Sequence, residues 1–383
     1  MAPATTLHRA TRGLQSLNPP PVSDNTVRVR MVDTESSLSL HAYSFVDPVM
    51  PGHEIMSMPT MAFLIENERL GKKAMFDLGM RKDYWNLPPA TRQAIQRAVP
   101  GLRSDRDTTD ILNDGGIRLD EINDIIWSHS HCDHTGSTHL FPHSTNLCYG
   151  RDTVGFPPYP ESPTSNLNAD AFEGRKCRAI DCNQLKIGPF DAHDFYGDDS
   201  LYLLDTHPGT GLEIPLPDSI PETALCRGGG RRPRDDYPSP CPCAIFTNHH
   251  PQITRAAEGD PTVDPRTTPF YKLSTHEKSA YEEPGVATAT MKGMQDYFDS
   301  DDHVLVLLTH DAILPEVLPT INERPAEDLN DWKARGWKER CHWGWLGELP
   351  RYNDDGSVRG PGPRATPIVE GLCKDGERIE SLV

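Results

Sequence analysis

Six consecutive residues, His129-Ser130-His131-Cys132-Asp133-His134, concentrate side chains that bind metal ions. Imidazole nitrogen and carboxylate oxygen are donors that a divalent ion such as zinc accepts in low coordination number. His129 and His131 lie two apart, so on an extended segment both point to the same side and can close on one ion. Asp133 and His134 follow where a tightening turn into a helix would aim them at a neighbouring position. That division predicts two ions sharing a hydroxide that is an effective nucleophile near neutral pH. Three histidines and an acid in so short a run, directly after an apolar stretch, are too dense for a solvated polar loop. Cys132 alternates with His129 and His131 and so points away from them, which predicts a packed thiol.

The run follows Ile122-Asn123-Asp124-Ile125-Ile126-Trp127, a β-branched apolar segment that reads as a buried strand holding a chemically active loop. Before it, residues 27–32 alternate apolar and polar positions, as a strand with one buried face does. Residues 61–65 and 73–77 flank a turn-like stretch from Asn67 to Gly71 and predict a hairpin. The second of these ends in Asp77-Leu78-Gly79. Asp77 is placed either to accept a hydrogen bond from a ligand imidazole or to cap a turn. Helices are predicted from Pro88 to Val99 and from Thr108 to Leu112, and short strands at 146–149, 177–180, 192–196 and 201–205. Near the other end, Val286, Ala289, Met294, Tyr297 and Phe298 form the apolar face of a predicted helix, and residues 303–309 a buried strand. His310 closes that strand beside Asp311 and is the next candidate ligand. Strands in two groups with interspersed helices predict an α+β arrangement, sheets packed face to face and covered by helices. Residues 1–26, with Pro19-Pro20-Pro21, read as an unstructured leader and 348–383 as a loop-rich tail. The stretch 206–267 is irregular, rich in proline and without hydrophobic periodicity.

A chain of 383 residues is long enough for a sizeable core, and its formal charge of −18 repels phosphate backbones and anionic membranes. Nucleic acid and membrane are therefore excluded as expected partners. The dense basic cluster Arg227, Arg231, Arg232 and Arg234 holds no aromatic residue for a base to stack on. The nine cysteines lack the close spacing of a disulfide-stapled secreted domain. With no apolar signal segment at the start, that predicts a cytoplasmic protein.

The residues Phe76-Asp77-Leu78-Gly79, Ile126-Trp127-Ser128-His129, Phe195-Tyr196-Gly197-Asp198, Leu203-Leu204-Asp205-Thr206, Pro269-Phe270-Tyr271 and Thr309-His310-Asp311 resemble the metallo-β-lactamase fold superfamily, and within it the lactonase-like branch. That superfamily is marked by a His-x-His-x-Asp-His loop. The segment Asp331-Trp332-Lys333-Ala334-Arg335-Gly336-Trp337-Lys338 looks like fungal members. The resemblance runs from Val27 to about Trp345, within a hydrolase domain placed at 27–347. It implies an αββα sandwich with two zinc ions at one edge. His129 and His131 would serve one ion, and Asp133, His134 and His310 the other. It implies hydrolysis of a small lactone or related ester by a metal-bound hydroxide, with Asp133 or an ion-bound water protonating the leaving group. Two alternatives remain open: an acyl thioesterase of polyketide or secondary metabolism, and a degenerate homologue with an incomplete site. The chain departs from the family after residue 205. Where the family places Pro-Gly-His, this sequence has Thr206-His207-Pro208-Gly209-Thr210, so His207 is the substitute ligand for the first ion. The family's Gly-Asp element with a bridging carboxylate has no counterpart here: Gly228-Gly229-Gly230 runs into Arg231-Arg232. A misread frame or an altered splice junction across 206–240 would account for this abrupt change.

Overall fold

The computed structural model describes residues 19–151, 154–206, 271–281, 283–299, 301, 303–342, 344–353, 355 and 357–382. Most of the expected leader, the irregular stretch from 207 onward and His207 itself lie outside the described residues. The strands in chain order are β1 (Arg28–His41), β2 (Val46–Asp47), β3 (Ile55–Asn67), β4 (Lys72–Phe76), β5 (Gly101–Ser104), β6 (Asp124–Ile126), β7 (Asn146–Gly150) and β8 (Cys177–Ile180). There follow β9 (Leu185–Ile187), β10 (Phe190–Asp194), β11 (Tyr202–Asp205), β12 (Lys272–Leu273), β13 (Arg351–Tyr352), β14 (Val358–Gly360), β15 (Gly371–Lys374) and β16 (Glu377–Ile379).

Nine of them form one mixed sheet in the order β16-β15-β5-β1-β3-β4-β6-β7-β8, and β11-β10-β9 form a second sheet. The hairpin β3–β4 pairs Phe63 with Phe76 and turns where the Asn67 side chain accepts the Leu70 amide at 2.9 Å. From β4 onward the large sheet is parallel, β4 to β6 to β7 to β8. The inner strands β6 and β7 are buried on both faces, as a sheet covered on both sides requires. Met31, Phe63, Phe76, Ile126 and Cys148 face a core shared with Phe195 and Leu203 of the second sheet's region and with Leu314 and Trp337. Val32, Leu64, Met75, Ile125 and Leu147 face the opposite core with Ile111 and Leu112 of the helix Thr108–Asp114. The result is the expected α+β arrangement: two sheets against each other, helices outside.

Three local expectations change. The first strand runs to His41, well past 32, because an irregularity between Asp33 and Ser37, with Glu35 at φ 54°, breaks the alternation. The helix at 284–294 continues as a π-helical turn over 295–299, so its extent is as expected, but it turns Thr290, Met291 and Met294 inward and leaves Ala289 exposed and Tyr297 and Phe298 half-buried. Among the described residues no strand forms at 303–309. Part of the reason is Lys338, whose buried ammonium takes the carbonyls of Asp299, Asp301 and Val304, one of which a ladder would need. The end of that segment is still fixed on the sheet, since the Thr309 carbonyl accepts the Met61 amide at 2.9 Å. Within 348–383, β15 and β16 extend the edge of the large sheet beside β5.

Candidate metal centre

Parallel strands end at the same edge of a sheet, and ligands collect outside the carboxyl ends of such strands. Here β4 ends at Phe76 and its neighbour β6 at Ile126, so Asp77 and Ser128 meet across the two strand exits. The Asp77 amide donates to the Ile126 carbonyl at 2.9 Å, and the Trp127 amide to Cys148 at 2.9 Å. Asp77 then takes φ 57°, a left-handed conformation that Asp tolerates better than most residues, and the chain turns away from the sheet. The Leu78 amide donates to the His134 carbonyl at 2.8 Å, which ties the histidine run to this exit. Gly136, at φ 48°, ends the short helix Cys132–Thr135, and a Cβ there would stand 2.5 Å from that of Leu78. Only glycine allows the run to lie so close to β4.

The fully buried carboxylate of Asp77 gathers three donors. The Ser128 amide reaches Oδ1 at 2.8 Å, and the Ser128 hydroxyl and His134 Nδ1 each reach Oδ2 at 2.8 Å. His129 Nδ1 lies 3.0 Å from the Ser128 hydroxyl. His310 Nδ1 donates to the Pro59 carbonyl at 3.0 Å. A nitrogen that donates to a carboxylate or carbonyl carries the ring proton, so in neutral His134 and His310 the metal-binding lone pair sits on Nε2. Those two Nε2 atoms lie 3.5 and 3.7 Å from Asp133 Oδ2. The donor atoms of Asp133, His134 and His310 all fall within 4.8 Å of one another. The ring centroids of His129 stand 4.2 Å from His134 and 4.5 Å from His131, and that of His134 stands 5.2 Å from His310. The structure thus brings His129, His131, Asp133, His134 and His310 together at one sheet edge, with His131 exposed and the other histidines buried. This donor set, imidazoles whose outer nitrogens are held by acceptors and a carboxylate between them, fits a divalent ion.

Cys132 packs beside the cluster of Met80, Tyr84 and Leu87, and burial pushes its thiol well up, as expected of an inert side chain. Burial and the charges of Asp311 and Glu316 push the Glu348 carboxyl up to about 8. The sequence reading missed Ser128 and the Pro59 carbonyl. Ser128 precedes the first histidine at a strand exit, but its partner Asp77 is 51 residues away in the chain. A main-chain acceptor leaves no residue-type signal.

No family model matches the chain. It is 31% identical over 380 residues to the gamma-lactamase FDB1 of Fusarium pseudograminearum, covering 88% of this chain and 87% of that protein. It is 30% identical over 350 residues to the metallo-hydrolase mfmC of Annulohypoxylon moriforme, covering 84% and 87%. Among solved structures, an N-acyl homoserine lactone hydrolase with the product N-hexanoyl-L-homoserine at its catalytic metal centre superposes with a TM-score of 0.42 and 14% identity, over 78% of this chain and 99% of that one. The chain belongs with these fungal hydrolases to the metallo-β-lactamase fold superfamily of αββα metallo-hydrolases.

Proposed function

We propose that this metallo-hydrolase opens a small lactone at a zinc centre held by His129, His131, Asp133, His134 and His310, with His207 as a further ligand. The observation that carries the reading is the convergence of Asp133 Oδ2 with the Nε2 atoms of His134 and His310 at 3.5 and 3.7 Å, while the Nδ1 atoms of both rings are engaged by fixed acceptors. A bound divalent ion supplies Lewis acidity toward a carbonyl and lowers the pKa of water to near neutrality. The chain's own residues do the rest. Asp77 and the Pro59 carbonyl hold two rings in the ligating tautomer, so no reorganisation is needed when substrate arrives. Asp133, with a side chain 13% exposed, is the group that takes a proton from the attacking water and returns it to the leaving oxygen. No Ser or Cys nucleophile is required, which agrees with the packed, raised Cys132 thiol.

A γ-lactam is the second bond to test, because a relative over most of the chain is named a gamma-lactamase. We place the protein in the cytoplasm: Cys132, Cys148, Cys177, Cys182, Cys341 and Cys373 are free thiols, as a reducing compartment keeps them. Among the described residues no helix is long and apolar enough to cross a membrane. The test is to assay γ-lactones, γ-lactams and acyl thioesters side by side, on protein stripped with a chelator and reloaded with zinc. Lactone opening that disappears on stripping and returns on reloading is expected. Thioester cleavage with no lactone opening, or turnover indifferent to the chelator, would overturn the reading.

A further inference from the structure

The Asp77 carboxylate accepts three hydrogen bonds beside the histidine cluster, and one of them comes directly from a histidine ring, that of His134. Between Asp77 and His129 stands the Ser128 hydroxyl, 2.8 Å from Asp77 Oδ2 and 3.0 Å from His129 Nδ1, at a position only 1% exposed. A serine hydroxyl has one hydrogen and two lone pairs. With that hydrogen given to the carboxylate, its contact with His129 is made by a lone pair, and the hydrogen between them belongs to Nδ1. From this geometry we infer that Ser128 is a positioning residue: it passes the pull of Asp77 on to His129, fixes that ring as the Nδ1–H tautomer, and so presents Nε2 to the metal. A single buried carboxylate then sets the ring state of two histidines, one directly and one through a hydroxyl.

The inference rests on the metal-centre reading for its consequence, but the tautomer can be read without any metal. Two features keep the position testable. The Ser128 amide holds Asp77 Oδ1 independently of the side chain, so Ser128→Ala retains the backbone anchor between the strand exits. Ser128→Thr keeps the hydroxyl and should restore what alanine loses.

The experiment uses full-length, chelator-stripped protein labelled with nitrogen-15 at histidine, with the His129 signal identified by its loss in His129→Gln. Long-range proton–nitrogen correlation spectra report which ring nitrogen carries the proton. The wild type and Ser128→Thr are expected to show His129 protonated at Nδ1, and Ser128→Ala to lose that preference. In competition against a chromophoric chelator, Ser128→Ala should bind zinc about tenfold more weakly, the lower end of what removing such a partner costs, and Ser128→Thr should recover most of the difference. A wild-type His129 protonated at Nε2, or an alanine variant matching the wild type in both readouts, overturns the inference. The expected tautomers in a wild type that takes up no zinc would leave Ser128's role standing and overturn the metal-centre reading instead.

Discussion

The two sides of the histidine cluster are anchored by different chemistry. His129 and His134 lean on side chains, through Ser128 to Asp77 in one case and directly on Asp77 in the other. His310 leans on the main chain, at the carbonyl of Pro59 in β3. A side-chain anchor can be removed by one substitution, whereas a carbonyl survives any replacement of its residue. The first side is therefore open to tuning by mutation and the second is built into the sheet. Both arise from the same edge, where β4 and β6 stop and β3 continues past them.

Asp77→Asn should have the largest effect, because it keeps the shape but replaces one acceptor oxygen by a donor facing donors. Zinc affinity is expected to fall by about 100-fold, the upper end for loss of such a partner, since two rings depend on it. Chelator competition measures this, and wild-type affinity in the variant would remove the asymmetry. Pro59→Ala should have little effect on zinc affinity, since the carbonyl that holds His310 Nδ1 remains. A loss as large as that of Asp77→Asn would mean that ring rigidity, not the acceptor, holds His310 in place.

The smallest effect concerns Glu348, which feels the charge of Asp311. Burial raises the Glu348 carboxyl to about 8, so the folded chain keeps a proton that the unfolded chain gives up above about 4.5. Its contribution to stability is fully present below about 4.5 and is lost as pH rises toward 8 and beyond. Chemical denaturation across that window should show a decline in the wild type that is shallower in Glu348→Gln. Equal slopes would show that Glu348 does not keep its proton in the folded chain.

Much of this was legible in the residues. Dense ligand-type spacing singled out His129, His131, Asp133 and His134, and the turn residues around Asn67 marked the hairpin that brings β4 beside β3. His310 was found for a partly mistaken reason. The apolar run before it forms no strand among the described residues, its backbone being held by Lys338 and by one bond to Met61. Ser128 was hidden because a lone serine has many uses, and its role exists only once two strands distant in sequence end side by side. The ligand proposed at His207 lies outside the described residues.

The most direct test of the central claim is the metal content of the purified chain, by elemental analysis, for the wild type and Asp133→Asn. Asp133 Oδ2 faces both His134 and His310, so the account predicts zinc bound at up to two ions per chain in the wild type, with at least one lost from the variant. A wild type that retains no divalent ion after growth with zinc, or a variant that binds as much as the wild type, would contradict it.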